Sequence, residues 1–149
     1  MTKNLDNDGL RSIVDNYQLF YVDLWGVVHN GISLHVEAIK ALQELTKKNK
    51  DYILLTNAPR PNHSVQSFLE KLGLQKEIRG HVFTSGEAAL LYLKKNLLDK
   101  KFFHLGPPRD FDLFKDFEKI KSNNIKYSDY ILCTGLFDDY NTDLKFYKN

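Results

Sequence analysis

The chain has 149 residues, 42% of them apolar and 27% charged, and a formal net charge of +2. This is enough for one ordinary domain with a real core, and the balance is that of a folded globular protein, which excludes wholesale disorder. Basic residues gather only in short stretches (Lys47, Lys48 and Lys50; Lys94 and Lys95; Lys100 and Lys101) at the ends of predicted helices. There they complement the helix dipole and stay solvated, so no nucleic-acid partner is expected.

The N-terminal segment MTKNLDNDGL carries no apolar h-region, and no stretch of the chain approaches membrane-spanning length. The expected location is the cytoplasm, with no membrane partner. Gln18 to Leu24 is an aromatic-rich apolar run that reads as a buried strand. Ser33 is placed to cap a helix running to about Asn49, with Val36, Ile39, Leu42 and Leu45 at helical spacing. Asp51 to Leu55 reads as a second buried strand, followed by the loop Thr56-Asn57-Ala58-Pro59-Arg60-Pro61. A helix from about Asn62 to Leu72 should end at Gly73 in a left-handed cap. His81 to Thr84 is a short strand, and Ser85 opens a helix to about Leu97. Beyond it come a strand at Lys101 to Leu105, a helix from Asp110 to about Ser122, a strand at Tyr130 to Thr134, and a helix beginning at Asn141. The one cysteine, Cys133, lies in the apolar run Tyr130 to Cys133 and is expected to be a buried small hydrophobe.

Alternation of strands and helices with continuous apolar strands predicts an α/β fold with a parallel sheet covered on both faces. Such sheets place their chemistry in loops at the strand C-termini. Two polar clusters stand there. Asp23 ends the first strand, with Gly26 and Gly31 able to bend the chain beyond it. A carboxylate so placed can attack phosphorus and split a hydrolysis into two easier steps; it can equally cap a loop. Thr56-Asn57 follows the second strand and offers a hydroxyl, an amide and a following helix N-terminus to a phosphate. Asn and Pro also form simple turns. The occurrence of both clusters at successive strand ends favours the functional reading.

The apolar strand ending in Asp23, with Gly26-Val27, resembles the first motif of the haloacid dehalogenase superfamily, and Leu55-Thr56-Asn57 resembles its second. Together with Thr84-Ser85-Gly86-Glu87-Ala88-Ala89 and Phe103-His104-Leu105-Gly106, the spacing is similar to that of the class IIA branch, over about Leu19 to Lys145. That branch holds sugar-phosphate, nucleotide and pyridoxal-phosphate phosphatases. The resemblance implies a Rossmann-like parallel core over residues 1–99 and the beginning of an αβ cap over residues 100–149. It implies Asp23 as nucleophile and Mg²⁺ ligand, the backbone carbonyl of Trp25 as a second ligand, Thr56 on the transferring phosphoryl group, and Asn57 in support. The implied partner is a small phosphorylated metabolite.

Two departures stand out. Relatives usually carry a second Asp two positions after the nucleophile, as general acid and then base; here that position is Trp25. Loss of such help costs on the order of 10²–10⁴-fold in rate. His29 has a suitable pKa to substitute, or is simply a loop histidine. In the family a Lys and a Gly-Asp-rich loop follow the cap, and neither is found; the acidic pair Asp138-Asp139 reads as a solvated turn. The expectation is a truncated or split form with little activity alone, completed by a separately encoded C-terminal half or by a homo-oligomer. Arg60 and Arg109 are either substrate-anion contacts or surface charges. Two other classes compete: a non-catalytic phosphate- or partner-binding module, and a receiver-like domain, which expects an acidic pair that Asp23 lacks.

Overall fold

Leucine, aromatic and β-branched residues in three short runs build the first sheet. Strands β1 (Leu19–Asp23), β2 (Asp51–Thr56) and β3 (Val82–Thr84) form it in the order β1-β2-β3. β1 and β2 are parallel, with Leu19 opposite Asp51 and Asp23 opposite Leu55. A second, two-stranded sheet pairs β4 (Phe102–Leu105) with β5 (Tyr130–Cys133), also parallel. The helices are α1 (Leu5–Asp8), α2 (Val36–Lys47), α3 (Asn62–Lys71), α4 (Lys76–Arg79) and α5 (Ser85–Asn96). The computed structural model describes residues 5–136, Asp143 and Lys145. The Asp138-Asp139 pair and the start of the helix expected from Asn141 lie outside the described residues. The α/β class with a parallel sheet is thus as the alternating pattern predicts.

Two compact units divide the chain: Met1–Thr56 with Gln66–Phe83, and Asn57–Val65 with Thr84–Asn149. They interleave in sequence, and the boundary expected at residues 99 and 100 falls inside the second. Among the described residues no helix is long and apolar enough to cross a membrane.

Several local expectations are corrected. The strands of the first sheet are not buried on both faces: Leu19, Tyr21, Leu55 and Phe83 are exposed, while Leu54 and Val82 on the alternate positions are buried. In register the exposed side chains of β1 and β2 share one face, and that face is open on the central strand as well as on the edge strand. Cys133 is exposed rather than buried. β5 alternates, so Leu132 turns into the core while Ile131 and Cys133 turn out. Ser33 does not cap α2, whose N-cap is His35 with no side-chain capping bond. Residues 28–35 are taken up instead by a turn in which Asn30 Oδ1 accepts the amides of Ile32 and Ser33.

The helix expected from Asp110 is a pair of 3₁₀ segments, Pro108–Leu113 and Lys115–Ile120. Phe111, Phe114 and Phe117 recur every third residue, the period of a 3₁₀ turn. Phe114 and Phe117 are buried against Phe102, Leu113 and Leu132, whereas Phe111 and Tyr127 remain exposed. The cap at Gly73 is as expected. Its φ is +89°, Leu74 N donates to Leu69 O and Gly73 N to Glu70 O, the paired bonds of a Schellman ending.

Candidate active site

Asp23 closes β1, and its register partner on β2 is Leu55, so Asp23 and Thr56 stand at the same end of neighbouring parallel strands. This is the end at which parallel sheets hold their ligands. Asp23 is exposed, and its Oδ1 accepts the Leu24 amide at 2.8 Å. That bond fixes the rotamer through one oxygen and leaves the other available.

A tight turn then reverses the chain. The carbonyl of Leu24 accepts the amides of Val27, Val28 and His29, and Gly26 N donates to His29 O at 2.8 Å. Gly26 makes this possible at φ +76°, a left-handed conformation that costs a side-chain-bearing residue free energy. Gly31, at φ +89°, has a second reason to be glycine: an added Cβ would lie 2.7 Å from the Trp25 indole. Trp25 is thus laid across Gly31, and its ring meets the His29 ring edge-on at 5.6 Å.

His29 does not fill the role of the missing acid. It is buried, and its Nδ1 accepts the Gly31 amide at 3.0 Å. A ring bonded this way is neutral with its proton on Nε2, and protonating Nδ1 would forfeit the bond. Burial holds its pKa below the ordinary imidazole range, and His35 lowers it further, with Asp23 opposing. Phe68 packs against its other side, with ring centroids 5.4 Å apart. The side chain is a packing element of the turn.

Thr56 is buried at the end of β2. Asn57 begins the second unit, where its loop is fastened to the start of α5. Ser85 Oγ lies 2.9 Å from the Asn57 carbonyl and 3.0 Å from that of Ala58, and Gly86 N donates to Ala58 O. Thr84 caps α5 by accepting Glu87 N and donates its own hydroxyl hydrogen to Arg60 O. Asn62 Oδ1 accepts Thr84 N while Glu87 accepts Asn62 N. This clamp is the element that sequence reasoning missed. Its signal was the Thr84-x-x-Glu87 spacing of a capping box, in which the glutamate here turns to the Asn62 amide.

Among the described residues no three His, Cys, Asp or Glu side chains gather into a metal cage. The oxygen donors at hand are the Asp23 carboxylate and, two residues on, the Trp25 carbonyl. Hard oxygen donors in small number suit Mg²⁺, which keeps several waters and binds through one or two carboxylates plus substrate phosphate. The residues present therefore fit that ion, though as a partial set.

The sequence model of the haloacid dehalogenase-like hydrolases matches residues 20–118. A haloacid dehalogenase-like hydrolase from Brucella suis is similar in structure, with a TM-score of 0.77 and 30% identity over 93% of this chain and 50% of that one. A protein described as a putative nagD protein matches with a TM-score of 0.65 and 25% identity over 86% of this chain and 49% of its own. A 4-nitrophenylphosphatase from Thermotoga maritima matches at 0.61 and 25%, over 81% and 46%. The chain therefore spans about half the length of these solved relatives. No curated protein matches it in sequence.

Proposed function

The chain belongs to the haloacid dehalogenase-like hydrolases, and from that premise we propose that it is a phosphatase-type module acting on a small phosphomonoester through Asp23. The observation that carries this reading is the register of β1 and β2, which sets Asp23 beside the end of the strand bearing Thr56. The 4-nitrophenylphosphatase among the similar structures supports the reaction class.

In this reading a carboxylate oxygen of Asp23 attacks phosphorus, and the bond to the leaving oxygen breaks with its electron pair going to that oxygen. Water then attacks the acyl-phosphate at phosphorus, restoring the carboxylate and releasing phosphate. Thr56 donates a hydrogen bond to a phosphoryl oxygen, and Asn57 supports it from the clamped loop. Mg²⁺, held by Asp23 and the Trp25 carbonyl, would supply charge neutralisation for the phosphate when bound. Trp25 offers no proton to the leaving group and His29 is locked neutral, so that proton comes from solvent. Turnover by these residues alone is accordingly slow.

The same features favour the second reading, a phosphate- or partner-binding module that does not turn over. β1 supports a partner that adds a strand, such as a second copy of the chain. It is the edge of its sheet with Leu19 and Tyr21 exposed, and such an edge is a template for another strand.

The test separates attack from turnover. The chain is incubated with acetyl phosphate and Mg²⁺, quenched in acid and mapped by mass spectrometry. A phosphoryl adduct on Asp23 that Asp23→Asn abolishes is expected; an adduct elsewhere, or no adduct, contradicts the nucleophile. In a steady-state assay with an aryl phosphate, no turnover above background is expected, and robust Asp23-dependent hydrolysis would overturn the slow-turnover part.

A further inference from the structure

Trp25 is the one tryptophan of the chain, and the chemistry above uses only its backbone carbonyl. Its side chain is 65% exposed, although an indole is among the largest apolar groups a protein can bury. The ring is nevertheless fixed. Its six-membered part lies against Gly31, where a Cβ would come within 2.7 Å of Cη2 and Cζ3. The His29 ring meets it at 89° and 5.6 Å, and His29 is itself buried and backed by Phe68. The backbone beneath is equally constrained. Trp25 and His29 form a β-bridge, Gly26 N donates to His29 O, and Gly26 and Gly31 take left-handed conformations. Shielding His29 requires one edge of the indole and leaves most of the ring in water. Two left-handed glycines and an ordered side chain cost conformational entropy, and here they hold a ring that adds little buried area to the fold.

The ring is also next to the nucleophile. Trp25 follows Asp23 by two residues, which keeps their Cα atoms within about 7 Å of each other. The Asp23 charge acts on the same His29 ring that the indole touches. Asp23, Trp25 and Thr56 all belong to the first compact unit, and Val27 and Ile32 of the same turn are exposed as well. A flat apolar surface of fixed orientation beside a phosphoryl acceptor suits a flat ring on the group that the phosphate leaves behind. The missing carboxylate points the same way. With no acid at position 25, the leaving oxygen departs most readily if it is phenolic, since a phenol ionises near pH 10, as tyrosine does at about 10, and an alkanol is far less acidic.

We propose that the Trp25 indole is a stacking platform for the leaving group, so that the substrate class is a phosphomonoester of a phenol. The proposal rests on the phosphatase reading for the placing of the phosphate at Asp23. Gly31 and His29 act through Trp25 and are positioning residues.

The test follows the single indole N–H resonance by NMR while phenyl phosphate or glycerol phosphate, equal in charge, is titrated into the whole chain with Mg²⁺. Phenyl phosphate should shift the resonance saturably and bind roughly tenfold more tightly than glycerol phosphate, as an aromatic contact implies. Phenol alone should not shift it over the same concentrations. By calorimetry, Trp25→Ala should erase the preference for phenyl phosphate and Trp25→Phe should keep a fraction of it, with circular dichroism unchanged in both. The Asp23 adduct from acetyl phosphate, which has no ring, tests the phosphatase reading separately. An adduct together with equal binding of the two esters overturns the platform alone. No response of the indole to phenyl phosphate, an equal response to phenol, or a preference that survives Trp25→Ala would each overturn the proposal.

Discussion

The two sheets are both short and parallel, yet they use their strand ends differently. At the end of the second sheet, His104 Nε2 and Thr134 Oγ1 lie 2.9 Å apart, and a Cβ on Gly106 would strike both side chains. The polar groups there bond one another, above a core in which Phe102 meets Phe114, Phe117 and Tyr130 at ring distances of 5.4, 5.9 and 5.8 Å. At the end of the first sheet, Asp23 is exposed, its Oδ1 accepts its own neighbour's amide, and the strand carrying it is an edge. Internally matched polar groups serve the fold. A carboxylate at a strand end with one oxygen uncommitted is what a ligand would need, and this contrast is why the chemistry is assigned to the first sheet.

The largest effect that can break this contrast is on stability. Phe102 is fully buried, so Phe102→Ala should cost about 3–5 kcal/mol in denaturant unfolding, whereas Asp23→Asn, at an exposed position, should change it by less than about 0.5 kcal/mol. Comparable losses from the two would erase the distinction between a packing sheet and a functional one.

Next in size is Trp25. Placing a carboxylate there restores a proton carrier, so Trp25→Asp should raise glycerol phosphate turnover, by up to about 10²-fold, or leave it unchanged. A marked fall in a folded variant would mean that the indole over Gly31 serves more than an aromatic leaving group.

A smaller effect is expected with pH. His29 and His104 are both held below the ordinary imidazole range, chiefly by burial, with His35 and Lys121 lowering them further and Asp23 and Asp110 opposing. The unfolded chain therefore takes up these protons first. Stability should be full above about pH 6.5 and fall as pH drops through that value toward the folded pKa values. His29→Gln and His104→Gln should each flatten the slope measured by thermal melts between pH 7.5 and about 5; an unchanged slope in both would contradict the burial argument.

The smallest concerns Tyr130, whose hydroxyl is buried with no hydrogen-bond partner among the described residues and whose pKa burial raises. Tyr130→Phe should leave stability equal or improve it by up to about 1 kcal/mol in the same unfolding assay. A loss of that size would reveal a partner for the hydroxyl.

Much of this was legible in the residues. Strand positions, the Gly73 cap and the placing of Asp23 and Thr56 at strand ends follow from apolar runs punctuated by Gly, Pro and Asn. Local pattern misjudged what depends on neighbours far along the chain. The run at Cys133 is as apolar as a core strand, but β5 buries only one of its faces, so Leu132 is inside and Cys133 faces out. The Phe111-Phe114-Phe117 spacing suits an α-helix nearly as well as the 3₁₀ turns that the core around Phe102 selects. For His29 the sequence leaves both a substitute acid and a plain loop histidine open, and the Gly31 amide on its Nδ1 decides for the second.

The most direct test of Asp23 as the phosphoryl acceptor is beryllium fluoride binding, followed by ¹⁹F NMR in the presence of Mg²⁺. Beryllium fluoride mimics a phosphoryl group and needs an uncommitted carboxylate oxygen. The account predicts bound fluoride resonances for the chain that disappear in Asp23→Asn and persist in His104→Gln. Resonances unchanged by Asp23→Asn, or absent from the unmodified chain at saturating Mg²⁺, would contradict it.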